Sequence, residues 1–311
     1  MSGTVAKWQS RGVSDLTLHH DAARSTEALV RRLQHRRFLH EHADLDAAHG
    51  AATAFVERTA GRGRLLEVRD GDAHAGELWV LSRGDELAVV DLALVRAQDA
   101  VATRLLLEEL ARAESVARLT VTVSPGDPVA TALVAGGGFE LAATQMLLDL
   151  DHRLPAEPDV VLEPMDEATF ARWEADELEN YARERARAGE SPERAREVSR
   201  QQHAELLPDG VDSEHHHFFV GRAAGEDGRP TVGTLWLSTE RPMAFVYDVA
   251  VHEERRRRGH GAGLMRAGAL WARERGAHAL GLNVFGHNHA ARALYDRLGY
   301  HVTEEFLGKR L

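Results

Sequence analysis

The chain has 311 residues, of which 43% are hydrophobic. This length and hydrophobic fraction are sufficient for two domains of ordinary size, each with its own core. A formal net charge of −11 argues against a general nucleic-acid binder, which needs a positive surface. The sequence has no cysteine, which excludes disulfides, thiolate metal sites and a cysteine nucleophile. No apolar run has the length of a signal-peptide core or a membrane span, so we expect a cytoplasmic protein without a membrane partner.

The N-terminal half alternates segments of helical periodicity with β-branched strands. In chain order we predict a helix over 23–43, strands over 63–69, 75–82 and 86–95, a helix over 98–115, a strand over 118–124, a helix over 127–135 and a strand over 139–150. Prolines and acidic residues then mark a linker around residues 150–160. We therefore expect one domain over residues 1–150 and a second over residues 159–311.

The C-terminal half has a similar order of elements. We predict a strand over 159–165, helices over 167–189 and 191–207, strands in HHHFFVGRAA, TVGTLWLSTE and MAFVYDVAV, a helix over 261–275, a strand in ALGLNVFG, a helix in NHAARALYDRLG and final strands in YHVTEEFLGKRL. Ser191 followed by Pro192 is a typical helix start.

The two halves also match residue by residue. VVDLALV (89–95) aligns with VYDVAVH (246–252), so that Asp91 falls on Asp248. Further on, LTVTVSPGDPVATALVAGGGF (119–139) aligns with LGLNVFGHNHAARALYDRLGY (280–300) at a spacing that is four residues larger. The second half therefore has four more residues between its central strand and the next helix.

The extra residues lie in the run VAVHEERRRRGHGAGLM (249–265). A strand that enters a glycine-rich turn and then a helix presents free backbone N–H groups to an anion, and arginines add charge-assisted hydrogen bonds. The run is not a Walker loop and lacks the complete GxGxxG fingerprint of dinucleotide-binding proteins. A solvated charged turn is the alternative interpretation of the arginines.

The motif Arg256-x-x-Gly259-x-Gly261 resembles the pyrophosphate-binding motif of the GNAT superfamily of N-acyltransferases. The downstream run from Asn288 to Tyr300 is similar to the N-x-x-A-x-x-L-Y-x-x-x-G-F/Y signature of that family. The resemblance implies an α/β (α+β) fold of two tandem GNAT-like domains, each a mixed, mainly antiparallel sheet with flanking helices. It also implies acetyl-CoA as co-substrate, no metal, and transfer of acetyl to a primary amine of a small molecule or peptide.

The resemblance assigns roles to individual residues. The backbone of Val249 and Val251 would hold the pantetheine arm, with Asn283 and Asn288 beside it. The side chains of Arg256 and Arg258 would bind phosphate oxygens. The pyrophosphate would be wrapped by the amides of Arg257, Arg258, Gly259, His260, Gly261, Ala262 and Gly263. Tyr295 would lie near the sulfur, where a phenol of pKa ~10 can protonate the leaving thiolate.

The base that deprotonates the amine has three candidates in the sequence. Tyr247 is two residues before Val249, and simple strand alternation places it towards the cleft, where it could order a water. The same alternation places Asp248 on the opposite face. Glu184, in the helical segment YARERARAG, is the third candidate.

His215, His216 and His217 are adjacent histidines that invite a metal hypothesis. On a strand, His215 and His217 share one face and His216 points away, so the three do not converge on one ion. We expect no metal there and expect one of these histidines to line the acceptor pocket.

The N-terminal half lacks the residues that the resemblance requires. Val134 replaces Tyr295, Asp127 replaces Asn288, and the loop reads RAQDAVATR. We expect a degenerate domain that does not bind CoA productively. The alternatives are an enzyme similar to mycothiol synthase, which has this two-domain plan, and a non-catalytic acyl-CoA-binding regulator; binding of nucleic acid through the arginines is disfavoured by the acidic charge.

Overall fold

The structure is a computed structural model that describes residues 7–9, 16–20, 25–41, 44–152, 157–240 and 243–311. The chain divides into two compact units, one formed by Met1–Ala142 with Thr303–Leu311 and the other by Ala143–Val302. Part of the predicted linker, residues 153–156, lies outside the described residues. Among the helices of the described ranges, none is both long and apolar enough to cross a membrane.

The first unit is a mainly antiparallel sheet with four flanking helices among its described residues. Its strands are β1 (Lys7–Gln9), β2 (Leu16–His20), β3 (Gly63–Asp70), β4 (Ala73–Arg83), β5 (Glu86–Leu94), β6 (Arg118–Val123) and the C-terminal β13 (His301–Arg310). Its helices are α1 (Glu27–Glu41), α2 (Leu45–Thr59), α3 (Ala100–Ala113) and α4 (Pro128–Val134). The strand order is β1-β2-β3-β4-β5-β6-β13, and only the β5–β6 pairing in this part of the described chain is parallel.

The second unit repeats this plan. Its strands are β7 (Glu140–Asp149), β8 (Val160–Pro164), β9 (His216–Ala223), β10 (Thr231–Ser238), β11 (Ala244–Val251) and β12 (Ala279–Phe285). Its helices are α5 (Glu167–Arg187), α6 (Pro192–Leu206), α7 (His260–Glu274) and α8 (His289–Leu298). The order is β7-β12-β11-β10-β9-β8, with β11 and β12 parallel.

The boundary between the units does not coincide with the linker that the sequence predicts. Strand β7 follows the N-terminal half in the chain yet pairs with β12 along residues 143–149 of the second unit. Strand β13, at the C-terminus, pairs with β6 of the first unit from Glu305 to Arg310. Each sheet is therefore completed by a strand from the other half of the sequence.

Helix ends in the second unit follow the capping chemistry of the sequence. The carboxylate of Asp166 accepts the amide of Thr169 at 2.8 Å before α5, and Ser191 caps α6 with Pro192 in its first turn. Gly299 ends α8 with φ of 92°, a conformation that favours glycine. These caps fix one end of each of the three helices α5, α6 and α8.

The core of the second unit lies between the sheet and the helices α7 and α8. Leu264, Met265 and Ala269 of α7 pack against Leu235 and Leu237 of β10. A smaller aromatic cluster on the other face contains Phe170 and Trp173 of α5 with Phe218 and Trp236 of the sheet. The sheet therefore has a helix-covered face on each side, and both faces contribute to the candidate site.

Strand β11 contains a β-bulge next to its centre. Trp236 of β10 pairs with Asp248, whereas the following residue, Leu237, pairs with Val246, so Tyr247 is the extra residue of the bulge. The first unit has the same irregularity between β4 and β5, where Trp79 pairs with Asp91 and Val80 pairs with Val89. The bulge is thus a feature of both copies of the repeat.

Candidate active site

The parallel strands β11 and β12 separate at the centre of the sheet. Their pairing covers only residues 244–246 of β11 and 280–282 of β12, although β11 continues to Val251 and β12 to Phe285. The remaining edge of β11, including Val249 and Val251, is left without pairing to β12 in the described structure. A parting of this kind opens a cleft whose walls carry free backbone groups.

The glycine-rich turn after β11 presents unbonded amides. The N–H groups of Ala262 and Gly263 bind back to the carbonyl of Gly259. Among the described residues, the amides of residues 257–261 donate no backbone hydrogen bond. Arg257 and Gly259 have positive φ angles of 63° and 92°, and such turns orient successive N–H groups towards one point. The segment is built to receive an anion at the start of α7.

The four arginines differ in their contacts. Arg255 binds Glu226 at 2.8 Å, and Arg256 donates from Nε to the carbonyl of Val251 at 3.2 Å. Arg257 and Arg258 are exposed, and no hydrogen bond or ion pair holds either side chain to another described residue. Arg257 and Arg258 can therefore reach a bound phosphate without breaking an existing pair.

The glycines of this turn have different reasons to be glycine. A side chain at Gly259 would be strained by its φ, although nothing lies within 4 Å of its position. A Cβ at Gly261 would lie 3.3 Å from Leu294 and 3.7 Å from Val251, and would narrow the entrance to the cleft. A Cβ at Gly263 would overlap Asp159 and Val160, so this glycine permits close packing of α7.

Two other members of the predicted cofactor segment have buried or capping roles. The His260 ring is buried, with both nitrogens lacking a hydrogen bond among the described residues, so only its backbone can reach a ligand. Asn288 uses its side chain to cap α8, accepting the amide of Ala291 at 3.1 Å. Asn283 is exposed on β12 at the point where that strand has left β11.

Tyr295 lies on α8, in the core cluster that also contains Val246 of β11. Only 6% of the residue is exposed, and its ring centroid is 5.7 Å from that of Tyr300. Burial, with the negative charge of Asp248 as a second cause, raises the pKa of the Tyr295 phenol above its ordinary value. The phenol is therefore protonated at neutral pH and can act as a proton donor.

Asp248 and Glu177 form an acidic pair beside this tyrosine. Burial raises the pKa of Asp248 to about 6, although Trp173 Nε1 donates to its Oδ2 at 3.4 Å. Burial, together with the charges of Asp248 and Glu184, raises the pKa of Glu177 to about 9. Two carboxylates in one poorly solvated site do not ionise together, so the pair can hold and release a proton near neutral pH.

The expected orientation of Asp248 is wrong, and the β-bulge is the reason. Tyr247 packs in the aromatic cluster of the α5 side, where Trp236 stacks on it at 4.6 Å. Asp248 is bound from the same side by Trp173 of α5. Because the bulge inserts one residue, Tyr247 and Asp248 both face α5, whereas Val246 and Val249 pack on the α7 side.

Glu184 lies near Glu177, but its carboxylate already has two side-chain partners. Its carboxylate accepts from Arg187 at 2.7 Å and contacts Nε2 of His287 at 2.6 Å. Both of its oxygens therefore already have partners. Glu177, two turns earlier on α5, has no such partner among the described residues.

The side chains of the three adjacent histidines, residues 215–217, do not lie together in one site. His215 precedes β9 and has a φ of 64°, so the strand alternation expected for it does not apply. His216 is buried on the α5 side, where its Nδ1 accepts a hydrogen bond from Trp236 Nε1 at 2.9 Å, and His217 packs on Trp271 of α7. No group of three potential metal ligands occurs in the part of the chain that the structure describes.

The first unit has a corresponding opening, but its chemistry differs. A cavity of about 680 Å³ lies where β5 leaves β6, and Asp91, the counterpart of Asp248, lines it. Asp91 accepts from Arg32 Nε at 2.8 Å and from Arg36 Nη2 at 2.5 Å. The turn before α3 has no glycine, and its Arg96 is bound to Asp99 and Asp70.

Comparison with known proteins places the chain in a family. The Acetyltransferase (GNAT) family matches residues 173–300. Two uncharacterized N-acetyltransferases of Bacillus subtilis (strain 168), YycN and YdgE, are similar to this chain. YycN is 33% identical over a match that covers 49% of this chain and 99% of YycN. YdgE is 32% identical over a match that covers 48% of this chain and 97% of YdgE. The chain belongs to the GNAT family of acetyltransferases.

A solved structure supports the fold over nearly the whole length. The GCN5-related N-acetyltransferase from Sphaerobacter thermophilus covers 95% of this chain and 95% of its own, with a TM-score of 0.59 and 19% identity. The predicted mixed, mainly antiparallel sheets with flanking helices, in tandem GNAT-like form, are confirmed. As a GNAT protein the chain is an acyltransferase.

Sequence reasoning missed residues that the GNAT fold brings to the cleft. Trp173, Glu177, Tyr181 and Glu184 follow one another at spacings of four, four and three, which puts them on one face of α5. This spacing is visible in the sequence, and of these four residues only Glu184 is among the three candidate bases. His203 of α6 was also missed, and it lies 5.6 Å from the Trp236 ring.

Proposed function

We propose that the unit Ala143–Val302 transfers acetyl from acetyl-CoA to the nitrogen of a primary amine. The observation that carries this proposal is the turn over residues 257–261, whose amides donate no backbone hydrogen bond among the described residues and which follows the edge where β11 parts from β12. An anion-binding turn at one end and a buried proton donor at the other suit a long, phosphate-bearing thioester. Val249 and Val251 would bind the pantetheine arm, with Asn283 at its side.

Asp248 is the base in this proposal, and Glu177 adjusts its charge. The ammonium of the acceptor gives a proton to Asp248, and the neutral nitrogen attacks the thioester carbonyl as the carbon–sulfur bond breaks. The thiolate takes the Tyr295 proton, and the second proton of the nitrogen restores the phenol. Asp248 returns its proton to solvent, so one proton is released for each amide formed.

The first unit does not turn over acetyl-CoA in this proposal. Its acidic residue, Asp91, is neutralised by two arginines, and Val134 stands where Tyr295 would be. The glycine-free turn before α3 has its arginine tied to two carboxylates. Stabilisation of the chain and presentation of the acceptor are the roles that we propose for it.

The test is calorimetric titration of acetyl-CoA together with thiol release over a panel of amines. We expect one binding site per chain, which Gly261→Leu removes and Gly225→Ala leaves in place, because nothing lies within 4 Å of the Gly225 Cβ position. Two sites would show that the first unit is active. Binding without thiol release for any amine would favour a non-catalytic acyl-CoA-binding regulator.

The protein variants Tyr295→Phe and Tyr300→Phe provide a matched pair. Each loses one buried hydroxyl, but that of Tyr300 has no partner among the described residues and no role in the proposed reaction. Turnover should fall in the first variant and not in the second. Equal turnover in both would exclude Tyr295 as the acid.

A further inference from the structure

We propose that the cavity of the first unit binds a zwitterionic small molecule, whose carboxylate lies on the arginines of α1 and whose ammonium group lies on Asp127. This site is formed within Met1–Ala142 and does not depend on the acetyl transfer proposed for the second unit. The size of the cavity, the donors on α1, the fixed ion pairs at its base and the two charges left over point to such a ligand.

The cavity has the size of a metabolite site and is bounded by three elements. Its volume of about 680 Å³ lies within the usual range for small-molecule sites, roughly 300 to 1,000 Å³. Helix α1, residues 90–92 of β5 and residues 122–127 at the end of β6 line it. Residues 96–99, the turn before α3, are not among its lining residues. The cavity therefore does not include the counterpart of the anion turn of the second unit.

Helix α1 presents hydrogen-bond donors to the cavity. Arg31, Arg32, His35 and Arg36 all line it, as two adjacent pairs that lie one helical turn apart on the same side of α1. A guanidinium group has five N–H donors and no acceptor. Its planar fork matches the two oxygens of a carboxylate. This wall therefore favours the carboxylate end of a ligand.

The two inner arginines are held in place by carboxylates of the sheet. Arg32 donates to Asp91 and, through Nη1, to Glu77 at 2.6 Å. Arg36 donates to Asp91 and, through Nη1, to a backbone carbonyl of β5 at 3.0 Å. Glu304, 3.6 Å from Arg36, has a further partner. The positive charges of this network are thus balanced by carboxylates, and its guanidinium groups are fixed before a ligand arrives.

Arg32 has one nitrogen with hydrogen-bonding capacity to spare. Its Nη2 lies 2.7 Å from Asp91 Oδ2, yet this nitrogen is buried and makes no well-directed hydrogen bond within the described ranges. Buried polar atoms in folded proteins nearly always have a partner. A carboxylate oxygen of a ligand at the α1 wall can provide one.

Two charges of the cavity remain outside this network, and they have opposite signs. Arg31 is exposed, and its one partner in the described chain is the exposed Glu27 of the same helix. Pairs of this kind stabilise little, so Arg31 can turn to a ligand. On the segment after β6, Asp127 Oδ1 accepts the amides of Val129 and Ala130, whereas its Oδ2 accepts no hydrogen bond from a described residue. One free cation and one free carboxylate oxygen complement the two ends of a zwitterion.

The repeat shows that the charge of Asp127 is not needed for the fold. Asn288, its counterpart, caps α8 with a neutral side chain that accepts the amide of Ala291 at 3.1 Å. A carboxylate at this position is unfavourable beside a polyphosphate and favourable beside an ammonium group. The first unit therefore keeps the opening of the repeat and changes the ligand that fits it.

The experiment titrates small molecules into the whole protein by calorimetry. The zwitterions are glycine, 4-aminobutanoate and 6-aminohexanoate, and the singly charged compounds are butanoate and butylamine. We expect the tightest zwitterion to bind about ten times more tightly than either singly charged compound, the effect of one more charge-assisted hydrogen bond. Arg31→Gln and Asp127→Asn should each weaken its binding by about ten times. Asparagine is as good a helix cap as aspartate, so the second variant keeps α4.

Matched variants outside the cavity provide the controls. Arg58→Gln changes an exposed arginine of α2, and Asp44→Asn changes the cap of that helix, whose carboxylate accepts the amide of Ala47 at 2.7 Å. Neither residue lines the cavity, and both variants should bind as the wild-type protein does.

Three results would overturn the zwitterion site. These are no binding of any of the three zwitterions, butanoate binding as tightly as they do, and binding that Arg31→Gln and Asp127→Asn leave unchanged. The last result would also identify an amine that binds only to the second unit. Thiol release from acetyl-CoA is measured separately, so failure of the acetyl transfer and failure of this site are distinguished.

Discussion

Glu177 gives the protein a pH dependence of stability that the variant Glu177→Gln should remove. In the folded protein burial raises the pKa of this carboxyl to about 9, whereas in the unfolded chain it returns to its ordinary value near 4.5. Between these values the folded state holds one proton more than the unfolded state. The free energy of unfolding must therefore fall as the pH rises through this window.

The magnitude follows from one proton. A full proton difference changes the free energy of unfolding by about 1.4 kcal/mol for each pH unit. Between pH 7 and pH 8.5, both below the folded pKa, the wild-type protein should lose at most about 2 kcal/mol relative to Glu177→Gln. The three histidines on the α5 and α7 sides of the sheet do not interfere, because burial lowers the pKa values of His203, His216 and His217 from 6.5 and their protons are largely lost above pH 7.

Urea denaturation of both proteins at pH 7 and pH 8.5 measures this difference. Subtraction of the two curves cancels the groups that do not interact with Glu177, and Asp248, whose folded pKa lies near 6, has largely lost its proton at both pH values. We expect Glu177→Gln to be the more stable protein at pH 8.5, because glutamine has no proton to lose in the unfolded state. A difference that does not change with pH would refute a protonated, buried Glu177.

Three further changes have expected outcomes. Tyr295→Phe should lower kcat by roughly 10² to 10⁴ without weakening acetyl-CoA binding in calorimetry, and unchanged kcat would rule out the phenol as the acid. Asp248→Asn should abolish the rise in kcat that the wild-type enzyme shows as the pH increases through about 6, and a retained rise would point to another base. Leu264→Ala, at a fully buried position of α7, should cost about 2 to 5 kcal/mol in urea unfolding, and a loss below 1 kcal/mol would contradict tight packing there.

Short-range chemistry made much of the second unit predictable. Ser191 with Pro192, the glycines of the anion turn and the aromatic strands all produce structure through their own backbone and nearest neighbours. The predicted helix over 261–275 therefore lies within one residue of the observed α7 at each end. The N-terminal region was less well predicted, since a single helix was expected over 23–43 and α2 (Leu45–Thr59) was not anticipated.

The positions of Asp248 and Glu177 could not be predicted from the alternation of residues along a strand. The bulge adds one residue to β11 without a recognisable sequence pattern. Simple alternation therefore predicts the wrong face of the sheet for Asp248. Glu177 is an ordinary helix residue in the sequence, and only the packing of α5 on the sheet makes it a half-buried acid with a raised pKa. The pairing of β7 with β12 and of β13 with β6 could not be predicted either, because the pairing of strands distant in sequence is set by the topology of the sheet.

The exchanged strands also order events during protein synthesis. The first unit begins to emerge from the ribosome before the second, yet its sheet needs residues 303–311, which follow the whole of Ala143–Val302. At about 5 to 20 residues per second, the intervening segment of about 160 residues takes roughly 8 to 32 s to translate. During that time the edge of β6 has no β13 to pair with. The first unit therefore completes its sheet only after the residues of the second unit have been synthesised.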